Sequence, residues 1–535
     1  MKFASRRSPV YGRRGVVASS QPLAAEAGLR ILQKGGNAAD AAVATAAALN
    51  VTEPTSTGLG GDMFALYFDN KPKKVFGING SGRSPKDLTL NKVNQDGYLD
   101  DLPIFHAHTI TVPGAAAGWI DTIEKYGTLS MSDVLRPAIE LARDGFPVSD
   151  ITARAWEAGA KKQLSLGPNS NEMLLNHHAP KVGEMMKIPT LAKTFEEISE
   201  HGKSGYYEGR VAKSIIEMVQ SKGGVMNLDD LKSHKTTFED PISVNYKGIE
   251  VYEIPPSGQG ITALIALNII EEIELHENPL SVEYLHTLIE VMRIAFADAR
   301  EYVADPQKVE VPILGLLDKK YAKERRKLFD KNRASLDVVK GSPMSASGTV
   351  YLSVVDQDGN ACSFINSNYM GFGTGLIPKG CGFTLQNRGH NFSLKPDHPN
   401  VLSPNKRPYH TIIPAMATKE NELYASFGVM GGFMQPQGHV QVLLNLVEHG
   451  MNPQEALDHP RFCIMDGTAK GAVALEEGIP IDVMSQLSNM GHVITPTTGY
   501  GRGIFGRGQI IMRDSETRVI SAGSDPRADG LAIGW

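Results

Sequence analysis

Ser345-Ala346-Ser347-Gly348-Thr349-Val350-Tyr351-Leu352-Ser353-Val354-Val355-Asp356 changes character at its fifth residue. The first half is small and flexible. The second half alternates and is rich in β-branched residues, which reads as a strand. Asp358-Gly359 then supplies a hairpin turn, and Ala361-Cys362-Ser363-Phe364-Ile365 reads as the return strand. Thr349 therefore stands where a cuttable linker meets a buried strand. Cutting before it would create a new N-terminus on a rigid sheet. A free N-terminal threonine carries a nucleophilic hydroxyl and, on the same residue, an amine that can act as its base. The stretch predicts an amide-cleaving enzyme that builds its active site by cutting itself. Judged alone, a threonine that begins a strand is almost always just a strand residue; the linker before it and the hairpin after it add only modestly to the functional reading.

Around this stretch the bulk numbers set bounds. The chain has 535 residues, enough for two or three ordinary domains or one large layered unit. Apolar residues make up 41% and charged residues 21%, as in a soluble globular protein. The net charge of −5 is spread without long runs, which argues against nucleic-acid partners or a polybasic membrane patch. Cys362, Cys381 and Cys463 give neither a disulfide framework nor metal spacing; buried packing and a reducing compartment fit them. The first residues begin like a signal peptide but lack its apolar core, and no run of about 18 apolar residues occurs. A soluble, cytoplasmic protein is expected.

Upstream, Val16-Val17-Ala18 reads as a strand, with Ser19 or Ser20 capping a helix from Leu23 to Lys34 that stops at Gly35-Gly36. Asn37 caps an alanine-rich packing helix, Ala38 to Leu49. Gly58-Leu59-Gly60-Gly61-Asp62 precedes a strand, Met63 to Phe68, and is either a tight turn or a place where backbone closes on a site. Helices follow at Thr111–Trp119, Pro137–Asp144, Ile261–Ile273 and Val282–Tyr302. The linker is Gly341 to Gly348. Beyond Thr349, strands are expected at Gly382–Leu385, His410–Met416, Leu423–Phe427, Gln509–Met512 and Arg518–Ser521, with helices near Gln437–His449 and Pro453–Ala456.

Further constellations invite chemistry. Gly431-Gly432, past a strand and the turn Gly428-Val429-Met430, offers two N–H groups that can hold an oxyanion, or is an ordinary loop. Gly501-Arg502-Gly503-Ile504-Phe505-Gly506 matches a dinucleotide fingerprint, but a strand rather than a helix follows it, so that reading is rejected. Pro255 to Gly260 lacks the lysine and spacing of a phosphate loop. His106-x-His108 and His177-His178 have no partners at metal spacing; they read as exposed or loop histidines, and neither metal nor cofactor is expected.

Taken together, the chain resembles the gamma-glutamyltransferase (gamma-glutamyl transpeptidase) family over nearly its whole length. The resemblance rests on Gly35-Gly36-Asn37-Ala38-Ala39-Asp40-Ala41-Ala42-Val43, Gly58-Leu59-Gly60-Gly61, Pro113-Gly114 with Gly118, Leu141-Ala142-Arg143-Asp144-Gly145, the Thr349 strand through Asp358-Gly359-Asn360, Phe372-Gly373-Thr374-Gly375, Pro404-Asn405-Lys406-Arg407-Pro408, Gly431-Gly432 and Ser524-Asp525-Pro526-Arg527. It implies an α+β fold, the four-layer α-β-β-α sandwich of N-terminal-nucleophile hydrolases. It implies a precursor cut at Gly348–Thr349 into a large chain, residues 1–348, and a small catalytic chain, residues 349–535. The two would form one intertwined unit, alone or as a homo-oligomer. Thr349 matches the nucleophile and Gly431 and Gly432 the oxyanion pair. Ser367 falls where the family has a second threonine that steadies the nucleophile. The substrate would be a small amide and the acyl acceptor water or an amine.

Departures from the family pattern gather in the acyl pocket. Ser81 stands where an arginine commonly reads the glutamyl α-carboxylate, with Arg83 two residues on as its replacement. Asn391 stands where a carboxylate reads the α-ammonium, and Arg388 where a neutral amide is found. His410-Thr411 replace a serine pair, and Tyr369 an asparagine. These changes remove a negative charge and add a positive one, and an unpaired ammonium is costly to bury there. Two enzyme readings follow: a hydrolase of gamma-glutamyl amides such as glutathione that can also transfer the acyl group, and an acylase for anionic acyl amides without an ammonium, glutaryl or oxamate-like. A binding-only homologue is the reading of another class.

Overall fold

The computed structural model describes residues 7–334, 347–468 and 471–535. Alternating burial along the Thr349 strand explains the architecture. Val350, Leu352 and Val354 join a helical core, while Tyr351 and Val355 join a core between two sheets. Successive side chains of a strand point to opposite faces, so a strand apolar on both must be covered on both.

The first sheet runs, edge to edge, Leu531–Gly534, Gly15–Ser19, Ser347–Asp356, Ala361–Met370, Asp62–Asp69, Lys74–Gly80 and Thr237–Glu239. The second runs Val10–Gly12, Ile520–Ser524, Arg507–Arg513, Glu422–Met430, Ala415–Lys419, Ile249–Glu253 and Ile242–Tyr246. Pairing in both is antiparallel. Helices including Pro22–Gln33, Ala38–Thr52, Ala115–Tyr126 and Met131–Asp144 cover the outer face of the first. Gly260–Ile270, Val282–Tyr302 and Met434–Val447 cover the second. This is the α-β-β-α sandwich, α+β in class, that the resemblance implied. Both sheets interleave strands from before and after Thr349.

The alanine-rich helix is the central packing element. Asn37 and Asp40 form a reciprocal capping box at its start, and all of its residues from Ala38 to Thr52 are buried. Its neighbour Pro22–Gln33 lies so close that a β-carbon on Gly28 would sit 2.2 Å from Thr45 Oγ1. Only small residues allow two helices to approach this closely, and enlarging one would cost about 1–3 kcal/mol.

Several expected elements differ. Neither Ser19 nor Ser20 caps the first helix; Gln21 holds that position, Ser19 Oγ turns to the Gln21 carbonyl and Ser20 Oγ to Glu53. Gly382–Leu385 is no strand: Leu385 makes an isolated bridge to Gly60. His410 likewise makes only a bridge, to Gly258, and the strand begins at Ala415. In both segments side-chain and loop partners take the backbone's place in a ladder. The strand Glu422–Met430 runs through the expected turn at Gly428–Met430, because its partner Arg507–Arg513 is long enough to pair with it. The last expected strand shifts to Ile520–Ser524. Linker residues 341–346 lie outside the described residues. No helix among the described residues is long and apolar enough to cross a membrane.

Candidate active site

The strand pair around Thr349 is irregular at one point. Gly348 pairs with Tyr369 and Val350 with Asn366, so Ser367 and Asn368 together oppose Thr349. Such a bulge re-aims side chains. Tyr369 closes it at φ +75°, in the left-handed region, a cost of order 1 kcal/mol or more that the surroundings must hold in place. Gly348 is needed for space, since a β-carbon there would lie 2.7 Å from the Gly371 nitrogen. The chain runs through Gly348 and Thr349 within one strand.

The bulge brings Ser367 to the nucleophile candidate. Ser367 Oγ is 3.1 Å from Thr349 Oγ1 and 2.8 Å from the Gly348 carbonyl oxygen. The Tyr369 N–H donates to it at 2.8 Å and Arg388 Nη2 at 3.0 Å. Thr349, Ser367 and Arg388 are fully buried. One serine hydroxyl thus touches the hydroxyl that would attack and the carbonyl it would attack.

The glycine pair lies at the end of a strand of the facing sheet. Ser353 Oγ donates to Ser426 Oγ at 2.6 Å, and the Tyr351 ring lies over Gly428, where a β-carbon would meet it at 2.5 Å. Two residues past Gly428 that strand ends at Met430, and Gly431 and Gly432 follow it. Their φ values of +140° and +61° are ones that glycine alone adopts readily. The helix Met434–Val447 starts just beyond, so the partial positive charge of its N-terminus lies on this side. Gln259 Nε2 ties the walls together, donating to the Thr411 carbonyl at 2.6 Å and the Gly432 carbonyl at 2.8 Å.

Arg388 is the unusual member. Nη1 donates to Thr411 Oγ1 at 2.6 Å, and the guanidinium lies 4.7 Å from the centre of the Tyr369 ring. It forms no ion pair among the described residues, and its Nε has no hydrogen-bond partner among them. Burial pushes it down to about 10, against the pull of the Asp62 charge, so it stays cationic at neutral pH. Asp62 pairs in register with Ser367 and accepts from Gly82 N, Gln386 Nε2 and His410 Nε2. Burial works against its charge, yet the His410 hydrogen bond and the other donors hold the carboxyl below the usual range. Burial, aided by Arg388, takes His410 down to about 4, so neutral His410 donates to ionised Asp62.

The other expected pocket residues divide. Tyr369, Arg388, His410 and Thr411 gather within this network. Arg83 extends instead to Gln307, with Nη2 2.8 Å from its Oε1. Ser81 is buried and donates to Asn79. Asn391 Nδ2 donates to the Tyr409 carbonyl at 3.1 Å. His177 and His178 are exposed, but His108 is buried with Nε2 2.8 Å from Asp96 Oδ2, contrary to the reading of both pairs as exposed or loop histidines; a carboxylate twelve residues upstream supplies its partner. Sequence reasoning gave no role to Asp62 or Gln259. Asp62 ends the glycine run, and only a statement that the glycines close on another strand would have found it: a β-carbon on Gly61 would meet the Ser367 carbonyl at 2.2 Å. A buried His286–Glu290–His492 group also escaped notice. Its histidines bond each other at 2.8 Å, His286 Nε2 donates to the Asp330 carbonyl, and Arg293 sits 3.3 Å from Glu290. That guanidinium already takes the carboxylate a cation would need.

A family model described as Gamma-glutamyltranspeptidase matches residues 24–535. The chain is similar to the "Glutathione hydrolase-like YwrD proenzyme" of Bacillus subtilis, 37% identical over 98% of this chain and 99% of that one. It is also similar to the "Glutathione hydrolase proenzyme" of the same organism, 32% identical over 98% and 92%. A solved structure, cephalosporin acylase from Bacillus halodurans, superposes with a TM-score of 0.93 at 43% identity, covering 100% of this chain and 98% of that one.

Proposed function

The chain belongs to the gamma-glutamyltranspeptidase family, a family of enzymes, and on that premise we propose that it is a self-processing threonine hydrolase that cleaves gamma-glutamyl amides, glutathione among them. The observation that carries this reading is the shared serine: Ser367 Oγ lies within hydrogen-bond reach of both Thr349 Oγ1 and the Gly348 carbonyl. In the precursor, Thr349 Oγ attacks the Gly348 carbonyl carbon. The Gly348–Thr349 C–N bond then breaks, and the proton lost from Oγ ends on the threonine nitrogen. Water hydrolyses the resulting ester, leaving a Gly348 carboxylate and a free N-terminal threonine. In the mature enzyme the new amine, with a reference pKa of about 7.7–8.0, takes the Oγ proton near neutral pH. Gly431 and Gly432 hold the oxyanion, and the acyl group passes from Thr349 to water or an amine. The large and small chains stay together as one hydrogen-bonded unit.

A second reading is favoured by Arg388 and Asn391. A buried guanidinium that forms no ion pair among the described residues, beside the nucleophile, suits an acyl group that carries a carboxylate, and neutral Asn391 brings no negative charge to pair with an ammonium. The high similarity to a cephalosporin acylase points the same way. Hydrolysis of a gamma-glutamyl anilide and a glutaryl anilide by one preparation decides between them. Faster release from the gamma-glutamyl compound supports the first reading. Faster release from the glutaryl compound supports the second, and equal rates would discard the idea that Arg388 excludes the ammonium.

A further inference from the structure

Ser367 has more neighbours than a hydroxyl can serve. A serine offers one hydrogen and two lone pairs. The Tyr369 backbone N–H at 2.8 Å and Arg388 Nη2 at 3.0 Å can only donate, so together they fill both lone pairs. The Gly348 carbonyl at 2.8 Å can only accept. The single Ser367 hydrogen is therefore left to Gly348 O or to Thr349 Oγ1, the latter farther off at 3.1 Å. A serine side chain has no second Cβ substituent to stiffen χ1, so its hydroxyl direction is set by its partners rather than by its rotamer.

We propose that Arg388 is a positioning residue for self-cleavage: its Nη2–H occupies a lone pair of Ser367 Oγ and so turns the serine hydrogen onto the Gly348 carbonyl oxygen. This deepens, and rests on, the assignment of Thr349 as nucleophile. Ser367 then polarises the scissile carbonyl before attack and holds the oxyanion formed when the Thr349 Oγ–C bond closes. Collapse of that oxyanion expels the Thr349 nitrogen, which carries away the proton, and water later splits the ester. The device works in the uncut chain, where the threonine nitrogen is still an amide and Ser367 reaches the Gly348 oxygen. Arg388 itself is fixed from two further sides, by Thr411 Oγ1 at 2.6 Å and by the Tyr369 ring. Arg388, Ser367 and Thr349 are fully buried, so these hydrogen bonds are made where the low dielectric strengthens them.

The test follows self-cleavage of freshly purified full-length chain by intact mass over time, with the thermal midpoint of each variant measured alongside. Arg388→Met removes the donors and Arg388→Lys keeps a cation with N–H groups. Loss of a preorganised donor of this kind predicts cleavage of Arg388→Met slowed by at least about tenfold, with Arg388→Lys between it and the parent. The same Arg388→Met change placed in Ser367→Ala should slow cleavage no further, because the arginine acts through the serine. A structural role alone would add its effect in both backgrounds and move the thermal midpoints of both Arg388 variants. Parent-like cleavage by Arg388→Met, or an equal further slowing in Ser367→Ala, overturns the proposal. If Arg388→Met fails to fold, Arg388→Lys and its Ser367→Ala double variant carry the same comparison. A parent chain that never cuts at Thr349 would instead overturn the nucleophile assignment and this proposal with it.

Discussion

Thr349 and Ser367 show how much can turn on two hydroxyls and a bulge. The bulge puts Ser367 where it reaches both reacting groups, and burial removes competing water. A Thr349→Ser chain keeps the attacking oxygen and, after cutting, the amine; it loses only the methyl that stiffens χ1. It is expected to self-cleave and to hydrolyse the preferred anilide, more slowly than the parent, as followed by intact mass and anilide release. Complete inactivity in a chain that folds normally would mean that the methyl does more than orient Oγ. At this scale the place of Thr349 near the start of a buried hairpin strand was legible in the sequence, because small residues, β-branched residues and a hairpin turn follow one another there. Asp62 and Gln259 were not, because their partners lie 348 and 152 residues away, and no local pattern encodes such pairings.

Elements hold these residues by close backbone approach. The glycine run Gly58–Gly61 passes under the Thr349 hairpin, and a β-carbon on Gly61 would lie 2.2 Å from the Ser367 carbonyl oxygen, a backbone atom that cannot swing aside. Gly61→Ala is therefore expected to push the strand Ala361–Met370 outward, lowering the thermal midpoint and slowing self-cleavage together; overpacking of this kind costs about 1–3 kcal/mol. Unchanged melting and cleavage would show that this loop yields without disturbing Ser367. Elements with strong local signals, such as the helices Ala38–Thr52 and Val282–Tyr302, were readable from periodicity and caps. Gly382–Leu385 and the first part of His410–Met416 were misread as strands because their apolar residues, Phe383 and Leu385 in the helical core and Ile412 and Ile413 between the sheets, serve burial rather than pairing in a ladder. Short apolar runs do not reveal which of the two they serve.

The whole molecule wraps one buried polar site between two sheets, and its titration should reflect that. Burial holds His410 and His459 down to about 4 and His234 and His492 down to about 3. Between these values and the unfolded value near 6.5, the unfolded chain binds protons that the folded chain refuses. Stability then rises with pH through that window and is lost as pH falls from 6.5, by about 1.4 kcal/mol per pH unit for each such group. Carboxyls raised by burial, Glu239 and Glu253 among them, act in the opposite sense and temper the loss. Thermal midpoints measured from pH 7.5 down to 5 should stay level above 6.5 and fall below it. A midpoint that rises on acidification would show that the carboxyls prevail. The four-layer architecture was accessible from the sequence only through the resemblance, because which strand joins which sheet depends on contacts between distant segments.

The most direct measurement is the intact mass of the purified chain after incubation, with Thr349→Ala run in parallel. Two fragments are expected from the parent, residues 1–348 and 349–535 apart from any trimming at the outer ends, with threonine at the new N-terminus, and a single uncut chain from Thr349→Ala. A parent that remains whole, or that is cut at another bond, would contradict self-cleavage at Thr349.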